Sequence, residues 1–78
     1  MIIGKVVGHV ISTNKLEALT GCKFMRVQIN GEQEIVAVDY VGAGNGDEVI
    51  IVQGQNVIYA MNSERPLPID AVIVGIVD

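Results

Sequence analysis

The chain has 78 residues, half of them apolar, and sets five Lys and Arg against nine Asp and Glu for a formal charge of −4. That length allows one domain, residues 1–78, and a single histidine with a single cysteine excludes a disulfide framework or a Cys/His zinc site. The acidic balance, with two Tyr, one Phe and no Trp, argues against nucleic acid, which calls for a basic footprint and stacking platforms.

Ile2 to Ser12 reads as a first strand, with Ile2, Gly4, Val6, Gly8 and Val10 on one face and Ile3, Lys5, Val7, His9 and Ile11 on the other. Glycines on one face of a strand point to sharp curvature or close backbone approach. A polar connector from Ser12 to Gly21 leads to a second strand, Cys22 to Ile29. Asn30-Gly31 then signals a hairpin turn into a third strand over Glu34 to Val41. The glycine-rich segment Gly42-Ala43-Gly44-Asn45-Gly46-Asp47 separates it from a fourth strand, Val49 to Gln53. Gln55 to Asn62 is the one short helix, with Val57, Ile58 and Met61 near helical spacing. Ser63 to Pro68 is a proline-bearing connector, and Ala71 to Val77 is the last strand.

Five short strands, one helix and tight turns predict an all-β domain: a small five-stranded, OB-like β-barrel. Strands four and five are apolar on both faces, although one helix cannot cover them both. A core of this size supplies only roughly 3–5 kcal/mol, and the excess apolar surface is expected to be sheltered by other subunits. Met1 runs straight into a strand pattern, so no export signal is expected. No apolar run approaches the ~20 residues of a membrane span, and the lone thiol fits a reducing cytoplasm.

No residue pattern calls for catalysis or a cofactor. Gly42, Gly44 and Gly46 follow a strand, but a dinucleotide site needs a further glycine and an immediate helix. Here a strand follows, led by Asp47 and Glu48, whose charges repel phosphate. His9 has no nucleophile or orienting acid at a recognisable spacing. Cys22 has only Lys23 nearby, on the opposite strand face, and reads as a small buried hydrophobe. Asp39, Asp47, Glu48 and Asp70 stand at strand ends and turns, where carboxylates satisfy backbone groups. Glu64 and Arg65 read as a surface or intersubunit pair. No metal site is expected.

Gly4-x-Val6, the run Leu19-Thr20-Gly21-Cys22-Lys23-Phe24-Met25, the segment from Val36 to Asp47 and the ending from Pro68 to Asp78 together resemble the EutN/CcmL family. These are vertex proteins of carboxysomes and other bacterial microcompartments. The resemblance covers essentially the whole chain, and Val38-Asp39-Tyr40-Val41-Gly42-Ala43-Gly44-Asn45-Gly46-Asp47 is its most specific part. It implies a non-catalytic structural subunit in the shell of a cytoplasmic microcompartment. The expected partners are the chain itself, as a homopentamer in preference to a hexamer, and hexameric shell proteins. Nucleic acid and membrane are not expected partners.

By the same resemblance, Val41, Gly42, Ala43, Gly44 and Asn45 are candidates for a contact at the symmetry axis. Val57, Ile58, Met61 and Ile73 are candidates for the subunit interface. After Gly54 the family usually carries small residues and an arginine, whereas Gln55-Asn56-Val57-Ile58-Tyr59 stand here. The alternative function is an OB-like module that binds a small ligand or single-stranded nucleic acid.

Overall fold

The computed structural model describes residues 1–13, 15–61 and 67–78. The positions read as a Glu64–Arg65 pair lie outside them. The elements are β1 (Ile2–Val10), β2 (Phe24–Ile29), β3 (Gln33–Asp39), β4 (Glu48–Gln53), α1 (Val57–Met61) and β5 (Ala71–Ile76), with single 3-10 turns at Glu17–Leu19 and Gly54–Asn56. The strands close into a barrel in the order β1-β2-β3-β5-β4, as the alternation predicts. The helix is shorter than the sequence suggests. Gly54, at φ 71°, turns the chain off β4 into the 3-10 turn, leaving only five residues for α1.

β1 is the corner strand. Its first half pairs with β4, from Ile2↔Ile51 to Lys5↔Glu48, and its second half with β2, from Lys5↔Gln28 to Val10↔Phe24. A strand can pass from one neighbour to the other in this way only if it bends, and a register shift between Val6 and Gly8 supplies the bend. Gly4 permits the crossing: a Cβ there would stand 2.5 Å from Val27 Cγ1 and 3.0 Å from the Gln28 carbonyl. The β2–β3 hairpin turns through Asn30 (φ 55°) and Gly31 (φ 77°), the left-handed pair that the dipeptide promises. The Gln28 amide braces the turn by donating to the Gly31 carbonyl at 2.7 Å.

Inward-facing residues form one core, in which Val6, Met25, Val27, Val49, Ile51 and Ile73 are all fully buried. A second cluster lies outside the barrel wall. Here α1 lays Val57 over Val38, Val52 and Val72, with Phe24, Met61 and Ile69 at its margin. The strands that read as two-faced are therefore partly covered within the chain: α1 shelters Val52 and Val72. The outer sides of Ile50 and Val74 stay only half-buried.

The barrel closes through a short seam. β3 and β5 run parallel and pair only at Val38↔Val72 and Asp39↔Ile73, whereas every other neighbouring pair is antiparallel.

Candidate functional site

At the seam β3 ends on Asp39, whose side chain is wholly buried. Its two oxygens accept hydrogen bonds from the backbone amides of Val41 (3.0 Å) and Ala43 (2.9 Å). Lys23 Nζ stands 3.4 Å from Asp39 Oδ2 and donates to the Ala43 carbonyl at 3.5 Å. A buried carboxylate is costly unless paired and hydrogen-bonded, and here the loop amides and one lysine meet both needs.

The far end of the loop is fastened in the same manner. Asp47 Oδ2 accepts from the Gly44 amide at 2.8 Å. The Gly46 amide donates to the Val6 carbonyl (2.8 Å), and the Val6 amide to the Asp47 carbonyl (2.9 Å). Gly42 and Gly46 take φ of 80° and 91°, the left-handed region that a side chain resists.

The loop is thus a rigid cap on one end of the barrel. Ala43 turns inward and joins the barrel core, while Tyr40, Val41, Gly42 and Asn45 face solvent. The amides that could have cradled a phosphate are already committed: those of Val41 and Ala43 to Asp39, and that of Gly44 to Asp47. This geometry agrees with reading Asp39 and Asp47 as turn-satisfying carboxylates and gives the glycine segment a structural task. Partial desolvation, with negative charge on the nearby Cys22 sulfur as a second cause, raises the Tyr40 hydroxyl above its ordinary pKa.

The residues read as an interface divide sharply. Ile58 is 41% exposed on α1 and Met61 half-buried, but Val57 is 3% and Ile73 0% exposed within the single chain. A side chain with no free surface cannot touch a neighbour, so Ile73 belongs to the barrel interior and Val57 to the helix–barrel contact. Helical spacing marked Val57 as apolar without showing which way it pointed. Ala43 is corrected likewise: at 1% exposure its backbone, not its methyl, is what the loop can present.

Sequence reasoning missed other exposed apolar groups, including Ile3, Val36 and Tyr59. The signal for Ile3 was present, since it shares its strand face with Lys5 and His9. A groove of about 420 Å³ runs between α1 and the barrel, lined by Met1, Val52, Gln53, Asn56, Tyr59, Ala60 and Val74. A smaller one, about 140 Å³, lies among Phe24, Val36, Val38, Pro68, Ile69 and Asp70. Among the described residues no cluster of three or more His, Cys, Asp and Glu could hold a metal ion, and no helix is long and apolar enough to cross a membrane.

Comparison with known proteins agrees with the fold. The family model described as ethanolamine utilisation protein EutN/carboxysome matches residues 1–78. The chain is 43% identical to the bacterial microcompartment shell vertex protein GrpN of Rhodospirillum rubrum, covering all of this chain and 93% of the relative. It is 38% identical to the carboxysome shell vertex protein CcmL of Gloeobacter violaceus, covering all of this chain and 83% of that one.

Among solved structures, the pentameric shell protein MSM0273 from the RMM microcompartment superposes with a TM-score of 0.85 at 35% identity, over the whole chain and 91% of its own. The G. violaceus CcmL structure gives 0.88, over the whole chain and 86% of its own. With a family model spanning every residue and relatives matched along nearly their full length, the chain belongs to the EutN/CcmL family.

Proposed function

We propose that the chain is a structural shell protein that assembles into a cyclic homopentamer and caps the vertices of a polyhedral bacterial microcompartment in the cytoplasm. The observation that carries this reading is the full-length match, in sequence and in fold, to shell vertex proteins whose solved relatives include pentamers. The same match favours it over the alternative of an OB-like binding module.

The task is geometric. Six-fold tiles lie flat, and five-fold units inserted among them introduce the curvature that closes a shell. A head-to-tail interface forms a ring when its rotation closes, here after five copies. The tiles that surround such a ring would be hexameric shell proteins.

Within the ring, the exposed edge of the Val41–Asn45 loop is placed at the axis. What supports this is its stiffness: both ends are fastened by buried or half-buried carboxylates, and Gly42 and Gly44 leave room for close approach. Ile58, projecting from α1, is placed at a subunit contact, with the half-buried Met61 behind it.

Native mass spectrometry tests the reading. The expected species is five times the 8.3 kDa chain, with negative-stain images showing five-fold particles. A monomer at micromolar concentration overturns it.

A further inference from the structure

Asn-Gly occurs twice in the chain, as Asn30-Gly31 at the tip of the β2–β3 hairpin and as Asn45-Gly46 in the glycine-rich loop. An asparagine followed by a residue without a side chain is where the next backbone nitrogen can approach the carboxamide with least hindrance. In both pairs the asparagine and the glycine are exposed. Both glycines take a positive φ, 77° and 91°, and a Cβ on either would meet nothing within 4 Å. Sequence, exposure and steric room therefore favour neither site.

The attacking atom separates them. The Gly46 amide donates to the Val6 carbonyl at 2.8 Å, and the Val6 amide donates in return to the Asp47 carbonyl at 2.9 Å. Freeing the Gly46 nitrogen would strand the carbonyl of Val6, a fully buried residue. At the hairpin tip, among the described residues, the Gly31 amide donates no hydrogen bond. The brace there runs from the Gln28 side-chain amide to the Gly31 carbonyl at 2.7 Å, so it holds the far side of the glycine and leaves its nitrogen unengaged.

We propose that Asn30 is a site of spontaneous deamidation in the folded protein, and that the bond from Gly46 to Val6 protects Asn45 from the same reaction. The Gly31 nitrogen loses its proton to a solvent base and attacks Asn30 Cγ. The new C–N bond closes a succinimide ring, while the Cγ–Nδ2 bond breaks and ammonia departs. Water then adds to one or the other ring carbonyl, opening the ring to aspartate or isoaspartate. No electrons are exchanged, and water and a base are the only co-reactants.

Either product adds one negative charge to a chain of −4, close in sequence to the exposed Glu32 and Glu34. Arg26 is already paired with Glu34 at 2.7 Å. Isoaspartate also lengthens the backbone by a methylene, which disturbs the tight left-handed turn and the rung next to it, Ile29↔Gln33. Deamidation thus loosens the end of the hairpin and makes the protein more acidic as it ages.

The test uses the wild-type protein in its native assembly, held in mildly alkaline buffer at physiological temperature and sampled over weeks. Peptide mapping by mass spectrometry reads the amide-to-acid mass gain at each asparagine, and methylation by protein isoaspartyl methyltransferase reports isoaspartate. Asn30 is expected to convert at least about tenfold faster than Asn45, the weight of one stranded buried acceptor, and ion exchange should show an acidic form accumulating in step. In guanidinium chloride the two rates should converge. Asn30→Gln, whose longer side chain closes the ring far more slowly, should remove the acidic form and the methyl label. An unreacted Asn30 or equal rates in the folded protein overturn the proposal, and so does an Asn45 that stays slow after unfolding.

Discussion

Asp39 reaches four residues along its own chain to accept the Ala43 amide at 2.9 Å, and that single bond turns the alanine into the barrel while leaving its neighbours outside. The second oxygen holds Val41, so one buried carboxylate sets the whole turn. Asp39→Ala leaves two amides without their acceptor and Lys23 without its carboxylate. Each unsatisfied buried group costs about 1–3 kcal/mol, and urea unfolding is expected to show a loss in that range or above. Asp39→Asn, which keeps one acceptor oxygen, should fall between the two. A wild-type midpoint for Asp39→Ala would contradict the role.

The two neighbouring residues on α1 should behave oppositely. Val57→Glu places a charge in the closed contact with Val38, Val52 and Val72, so the protomer itself is expected to unfold or melt far lower. Ile58→Glu changes a half-open surface position and should cost the protomer less than about 1 kcal/mol while weakening the ring. Thermal melting read beside native mass spectrometry separates these effects.

Glycines 42 and 44 stand two residues apart but differ in what they need. Gly42 has φ 80° with open space about it, whereas Gly44 has an ordinary φ and would set a Cβ 3.7 Å from Asp47 Oδ2. Gly42→Ala should therefore cost the protomer about 1–2 kcal/mol through backbone strain, and Gly44→Ala almost nothing. For Gly44→Val, forced φ therefore gives no reason to expect damage. Loss of the ring with an unchanged monomer fold would come from crowding between copies, and an unaltered ring would move this loop away from the axis.

Tyr40 supplies a pH dependence. Burial, then the Cys22 thiolate, raises its folded pKa above the unfolded value near 10. Between those two values the folded chain holds a proton that the unfolded chain has released. Stability from this group is therefore complete below the unfolded pKa and falls as pH climbs through the folded one. Tyr40→Phe is expected to flatten the alkaline decline in melting temperature. Cys22→Ala should lower the pKa read from phenolate absorbance.

Much of the fold was legible because alternation is a strong signal in strands with one wet face. Val6 and Gly4 inward with Ile3 and Lys5 outward came directly from β1, and Asn30-Gly31 fixed the hairpin. The candidate site was legible only in part. Asp39 and Asp47 could be read as turn carboxylates, yet nothing local shows that Asp39 would meet Lys23, which arrives from another strand. Val57 and Ile73 were misjudged because hydrophobicity says that a side chain seeks cover, not whether its own chain or a neighbour supplies it. In a strand apolar on both faces the period that normally distinguishes inside from outside is missing, and only packing restores it.

The parallel seam bears on how the polypeptide reaches its final form. β1, β2 and β3 follow one another as a meander, but Val38 must find Val72 and Asp39 must find Ile73 across a long stretch of intervening chain. Such distant pairings bear the loop-closure entropy of that whole stretch and return only two rungs for it. Closure of the cylinder is therefore the late step of folding, and these same rungs are where it should first unzip. In deuterium-exchange measurements, the amides that bridge β3 and β5 should lose protection ahead of those along the β1–β2 ladder.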